Sequence, residues 1–336
     1  MFCPRLDHFV RLNQDGSVGK CGHMVKAKGF ESFEELEHSD WLNNIKHRMD
    51  EDKWPAECVR CEQSERVKGE SIRTNSISRH KMLKPIRNNY LIVGGVLDNI
   101  CNSACQSCNA GLSTKIGSLE SRDYARVDNY DVFQKLPLDR VIELDVNGGE
   151  PTASKNYRKV LGELPANTKI VRMNTNGSRM ITEIEDVLKK NIMVIVTLSL
   201  DGIGSVHDYT RWPIKWTDYK KTVDAYKDLQ KKYKLLQIDF WTTVSCFNIK
   251  NLPDIINFAK NKNIPHNWSF LHSPSVLNIK YKNKFTIVAK HMSPKEIAVD
   301  KDNSEQLDLF IKRQDSLRDI SIDDYFNLTP NLSKNS

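Results

Sequence analysis

Cys101-Asn102-Ser103-Ala104-Cys105-Gln106-Ser107-Cys108 sets three thiols on one short stretch at Cys-x3-Cys-x2-Cys spacing. Three thiolates so placed can hold three corners of a cubane iron–sulfur cluster and leave the fourth iron open to an exogenous molecule. A structural zinc site normally closes all four positions with protein ligands, so three cysteines alone suit it poorly. A second set, Cys3, Cys21, Cys58 and Cys61, offers four thiolates with one Cys-x2-Cys pair. That set suits either a 4Fe–4S cluster or zinc, and spacing alone does not choose. Clustered cysteines point to metal or redox chemistry in a reducing compartment rather than to disulfides. The eighth, Cys246, ends an apolar strand-like run and reads as a buried core thiol.

Further groups with chemical potential follow in order. In Asn147-Gly148-Gly149-Glu150-Pro151 the paired glycines let a ligand approach the backbone, and Glu150 can accept from an ammonium. Asn174-Thr175-Asn176-Gly177 and Ser199-Leu200-Asp201-Gly202 carry amide, hydroxyl and carboxylate groups suited to ribose hydroxyls; both are also ordinary turn sequences. In His207-Asp208-Tyr209-Thr210-Arg211 the arginine can offer a bidentate fork to a carboxylate, and a surface ion pair accounts for it nearly as well. No residue is assigned a catalytic acid or base role.

The elements that must position these groups read as strand alternating with helix from Tyr90 onward. Strands are predicted at 90–97, 140–146, 169–175, 192–200, 235–245 and 264–271, and helices at 129–136, 154–163, 180–190, 217–233 and 250–262. Leu252, Ile255, Ile256 and Ala259, for example, fall on one helical face. The alternation predicts an α/β fold with a parallel sheet, and six strands are too few for a closed eight-stranded barrel, so an open, partial (β/α)6 barrel is expected. The groups named above then fall at successive carboxyl ends of strands, where parallel α/β sheets place their sites.

The rest of the chain divides into a small cysteine-pinned module over 1–70, a polar, basic connector over 71–89, the barrel over 90–275 and a closing extension over 276–336 with an Asn/Ser-rich tail. The module contains a turn at Asp15-Gly16, expected to close a short hairpin before Cys21, and a capping box at Ser32-Phe33-Glu34-Glu35. It has few apolar residues, so a metal staple is expected to hold it.

Hydrophobic residues make up 39% of the 336 and charged residues 28%, which fits a globular domain rather than a disordered chain. No stretch approaches the ~20 apolar residues of a membrane span, and the start lacks a signal-peptide core, so a cytoplasmic protein without membrane contact is expected. The net charge of +7 is mild. Lysines between 220 and 234 alternate with Asp224 and Asp228, which describes a solvated helix face rather than a nucleic-acid stripe.

The three-cysteine loop, followed one strand later by Gly148-Gly149-Glu150, resembles the motifs of the radical S-adenosylmethionine (SAM) enzymes. The resemblance implies a 4Fe–4S cluster on Cys101, Cys105 and Cys108 whose open iron binds the SAM amino and carboxylate groups. Reductive cleavage then leaves a 5′-deoxyadenosyl radical. It further implies SAM binding by Gly148, Gly149, Glu150, Asn176, Ser199, Asp201 and Arg211, and a small reductant protein such as flavodoxin or ferredoxin. Many members carry an aromatic residue before the third cysteine, where this chain has Ser107. Residues 1–61 resemble the SPASM/twitch auxiliary-cluster modules of the same enzymes through Cys3-Pro4, the Asp15-Gly16 hairpin to Cys21, the helix opening at Ser32 and Cys58-x2-Cys61. This likeness implies a second 4Fe–4S cluster, although the module precedes the barrel here and Gly22 follows Cys21 where relatives often have another cysteine. Arg313-Gln314-Asp315-Ser316-Leu317-Arg318 looks like the tail of twitch-type members. Such relatives most often modify a peptide or protein at a C–H bond, which makes a peptide the leading substrate class. A nucleoside, sugar or other small metabolite is the alternative, and a non-catalytic metal-stapled binding protein a third.

Overall fold

The computed structural model describes residues 1–121, 124–281, 283–285 and 302–326; the expected Asn/Ser-rich tail beyond 326 lies outside the described residues. The fold is mixed α/β with a mostly parallel sheet. Its strands are β1 (Phe9–Leu12), β2 (Val18–Gly19), β3 (Leu91–Asp98), β4 (Val141–Gly148), β5 (Ile170–Thr175), β6 (Met193–Ser199), β7 (Leu236–Val244) and β8 (His266–Phe270). All six strands expected from the sequence form, and β1 and β2 add two more. Among the described residues no helix is long and apolar enough to cross a membrane.

The chain forms two compact units, one of residues 1–100, 125–173 and 182–194, the other of residues 101–124, 174–181 and 195–336. In the first, β1 pairs antiparallel with β2 (Leu12 opposite Val18) and parallel with β3 (Val10 opposite Val93), and β3 pairs parallel with β4 (Val93 opposite Leu144). The expected hairpin at Asp15-Gly16 therefore extends the sheet. A short apolar strand laid along β3 satisfies backbone groups that would otherwise form an open edge.

One face of this sheet is a continuous core. Val10, Leu12, Val93, Leu97 and Leu144 pack with Phe133 and with Tyr157 and Val160 of the helix Lys155–Gly162. The same core takes in Leu36, Leu42, Ile45 and Met49, so residues of the N-terminal module share it. The expected cap forms, since Ser32 Oγ accepts from Glu35 N–H, while the Glu35 carboxylate reaches Glu31 N–H instead of the cap residue. Residues expected as a connector form the helix Ile72–Leu83, whose Leu83 packs with Phe9, Tyr90 and Ile92.

In the second unit β7 and β8 pair parallel, with Phe240 opposite His266. Period-2 alternation in β7 sends Leu236, Ile238, Phe240, Thr242 and Val244 inward. Phe240 meets Phe258 of the helix Leu252–Lys262 on that side. The helix Ser304–Arg318 closes a second core, in which Leu307 and Ile311 pack with Tyr209, Cys246, Phe247 and Leu277. Cys246 is buried there, as expected of a core thiol.

Candidate active site

The cysteine loop belongs to the second unit and is pinned through its backbone. Ala104 N–H donates to Trp212 O at 2.8 Å and Gln106 N–H to Thr210 O at 3.0 Å. The Ala104 carbonyl accepts from Arg318 Nε at 3.0 Å and Nη2 at 2.7 Å. Ser113 Oγ donates to Ser103 O at 2.6 Å, and Thr114 Oγ1 accepts from Cys101 N–H at 3.1 Å. Helix ends near and far in sequence thus fix a loop that has no regular structure of its own, which is what a preorganised ligand set requires.

Cys105 is buried, while Cys101 and Cys108 are partly exposed. Burial pushes the Cys108 thiol up to about 12, and the neighbouring Cys105 and Cys101 push it the same way. Burial also raises Cys105, against the pull of the Arg211 and Arg318 guanidiniums. Ligation by a positive centre would reverse the preference of these soft sulfur donors for the protonated form. The donor set therefore fits three corners of an iron–sulfur cluster, and the two arginines suit its negative charge.

Around the loop, Asn176 Nδ2 donates to Asn102 Oδ1 at 2.8 Å and to Ser103 Oγ at 2.7 Å. Asp201 accepts from Arg211 Nη1 at 2.8 Å through Oδ2 and from Thr243 N–H at 2.8 Å through Oδ1. The pair is buried, with Arg211 11% and Asp201 6% exposed, so the surface pair weighed above is in fact an interior one. Arg211 Nε is buried without a hydrogen-bond partner, which leaves part of its fork for another acceptor. The Asp201 and Cys105 charges beside Arg211 hold its proton more firmly than usual, against burial, which is the larger single influence. Ser199 ends β6, partly exposed.

The glycine-rich motif belongs to the first unit. Gly148 has φ +135°, and a Cβ there would stand 2.1 Å from Asp98 O; a Cβ on Gly149 would stand 2.0 Å from Ile100 O. Only glycine tolerates either approach. Gly149 N–H donates to Asp98 O at 2.8 Å and Glu150 N–H to Ile100 O at 2.7 Å, so this turn is stitched to the end of β3 and the two residues after it. Glu150 is 1% exposed, and its Oε1 accepts from Thr152 N–H at 3.1 Å and Oγ1 at 2.9 Å. Asp98, fully buried, accepts from Ser154 Oγ and from Ile100 N–H, and burial raises its carboxyl.

Cys3, Cys21, Cys58 and Cys61, also in the first unit, line one cavity with Arg5, Trp54 and Arg73. Burial pushes Cys3 up to about 11 and Cys58 up to about 12, with repulsion among the thiolates adding to it. The set offers four sulfur donors to one interior space, as a four-iron cluster or zinc would need. Among the described residues no three His, Cys, Asp or Glu side chains are gathered closely enough to hold a single metal ion.

The most consequential residue not singled out from sequence is Arg318. It lies in the Arg313–Arg318 stretch that drew notice only as a family-like tail, and an arginine that is 5% exposed has no local signature. Ser154, behind Asp98, was likewise unmarked, although its position before the helix Lys155–Gly162 makes it a recognisable cap.

No family model matches the chain. Among curated proteins it is 30% identical to the mycofactocin maturase MftC of Mycolicibacterium smegmatis over 112 residues, 33% of this chain and 28% of that protein. Mycobacterium ulcerans MftC is 30% identical over 112 residues, 33% and 29% respectively. The match thus spans under a third of the length of these relatives. Solved structures with a similar chain course include Streptococcus suis SuiB bound to S-adenosylmethionine, with TM-score 0.43 and 12% identity over 93% of this chain and 70% of that one. Another is anSMEcpe with bound AdoMet, with TM-score 0.41 and 17% identity over 54% and 52%.

Proposed function

We propose that the protein is a radical SAM enzyme that modifies a peptide or protein substrate at a C–H bond. The observation that carries this reading is the pinned loop that presents Cys101, Cys105 and Cys108 beside Arg211 and Arg318. The peptide as substrate class rests on the resemblance to auxiliary-cluster radical SAM enzymes, and the relatives, named as maturases of mycofactocin, accord with a maturation role.

Cys101, Cys105 and Cys108 hold three corners of a 4Fe–4S cluster, and Arg211 and Arg318 offset the negative charge that ligation gathers there. When bound, the cluster and SAM together supply reductive cleavage of the sulfonium and an oxidant able to attack a C–H bond. Glu150 faces the SAM ammonium while Gly148 and Gly149 admit the ligand close to the backbone, and Asn176, Ser199 and Asp201 serve the ribose. Arg211 offers the open part of its fork to the SAM carboxylate, with Asp201 holding it in orientation. Cys3, Cys21, Cys58 and Cys61 hold an auxiliary 4Fe–4S cluster with no corner left for SAM. Electrons come from a small reductant protein such as flavodoxin or ferredoxin, and the clustering of cysteines for metal ligation rather than for disulfides accords with a cytoplasmic protein.

Anaerobically loaded and reduced protein is expected to convert SAM to 5′-deoxyadenosine, and replacing Cys101, Cys105 and Cys108 together by Ala to abolish it. Retention of that activity in the triple variant would remove the loop from the reaction.

A further inference from the structure

The second unit has a strand face that the reading above leaves without a role. While one side of β7 is buried, its alternate residues point the other way: Asp239 and Thr243 are partly exposed and Trp241 is 41% exposed. The register of β8 sets Asn267 beside Trp241 and Ser269 beside Thr243 on that side, and both are exposed. An indole that bares two-fifths of its surface in mid-strand, among amide, hydroxyl and carboxylate groups, is poorly accounted for by packing.

The face adjoins the candidate active site through the backbone. Thr243 N–H donates to Asp201 Oδ1 at 2.8 Å, Asp201 pairs with Arg211, and Leu200 N–H donates to Trp241 O at 2.8 Å. Asp239 stands two residues from Trp241 on the same side, roughly 7 Å along the strand. Its Oδ1 is buried without a hydrogen-bond partner, and no described cation pairs with the carboxylate. A carboxylate left unmatched beside an open indole suits a cation whose stem lies along the ring.

We propose that Asp239 and Trp241 form a specificity site for a lysine or arginine side chain of the peptide substrate, with the indole as platform and the carboxylate as counter-charge. The peptide as occupant rests on the function proposed above; the preference for a cation rests on these two side chains.

The test is 19F NMR of cluster-loaded protein carrying 5-fluorotryptophan, with the Trp241 resonance assigned by its absence in Trp241→Phe. The probes are N-acetylated, C-amidated Gly-Arg-Gly and Gly-Lys-Gly, with Gly-norleucine-Gly as the uncharged match. The cationic peptides are expected to shift the Trp241 resonance and to bind about fivefold or more tighter than the norleucine peptide. Asp239→Asn is expected to remove that preference. A Trp241 resonance moved by none of the peptides, or equally by all three, overturns the proposal, as does an unchanged preference in Asp239→Asn. The outcome is separable from that of the parent reading. Protein that forms 5′-deoxyadenosine yet shows no cation preference loses only the specificity site. Protein that binds the cationic peptides but never cleaves SAM keeps the site and loses the radical SAM function.

Discussion

Removing the Arg318 guanidinium tests whether tertiary contacts hold the cysteine loop. Arg318 is 5% exposed and its Nε and Nη2 both donate to the carbonyl of Ala104, a residue with no exposure at all. A hydrogen bond to a charged partner contributes about 1.5–3 kcal/mol, and a buried acceptor left unfilled costs about 1–3 kcal/mol. The two bonds share one donor group and one acceptor, so they do not add in full, and Arg318→Ala is expected to cost the loop about 3 kcal/mol. That corresponds to about a hundredfold rise in local opening. Hydrogen exchange over residues 101–112 of cluster-loaded protein reads it directly, because the Ala104 and Gln106 amides donate to Trp212 O and Thr210 O. Iron content should fall in parallel as Cys105 loses both its anchor and a neighbouring cation. Arg318→Lys keeps the charge without the fork and should show about half the effect in free energy. Protection in Arg318→Ala within about threefold of the parent, under 1 kcal/mol, would refute the view that this arginine secures the loop.

Glu150→Gln preserves shape and removes the charge proposed to face the SAM ammonium; SAM affinity, measured by calorimetry on cluster-loaded protein, should fall roughly ten- to hundredfold. His207 is fully buried, and burial lowers it from 6.5 to about 3. The unfolded chain therefore binds more protons across that window, so stability is lost as pH falls from 6.5 toward 3; His207→Phe should flatten the decline in urea midpoint between about pH 7 and pH 5. Replacing Cys58 and Cys61 by Ala should remove the auxiliary cluster, loosen residues 1–70 to proteolysis and leave SAM binding at the other cluster intact. With Cys101, Cys105 and Cys108 replaced instead, about four irons should remain per chain, and stoichiometric zinc in their place would refute the two-cluster reading.

What the sequence determined is local. Strand periodicity depends on neighbouring residues, and β3 to β8 form within one or two residues of where alternation and turn punctuation put them. The same holds for donor sets: Cys-x3-Cys-x2-Cys confines three thiols to one loop whatever surrounds it, whereas the Gly148-Gly149 pair, read from sequence as room for a ligand, also makes room for the chain's own Asp98 O and Ile100 O. Partnerships over long chain separations were not legible. Nothing local shows that Phe9–Leu12 lies parallel to β3, because a short strand's partner is chosen by shared burial with Leu36, Leu42 and Met49 rather than by its own pattern. Nor does anything local show that Arg318 reaches Ala104, 214 residues away, or that Arg211 pairs with Asp201 in the interior. Charged residues are usually solvated, and only the folded chain decides which of them leaves water. Burying an arginine is tolerable only when acceptors from distant segments surround it, and those acceptors exist only once the tertiary structure has brought the segments together.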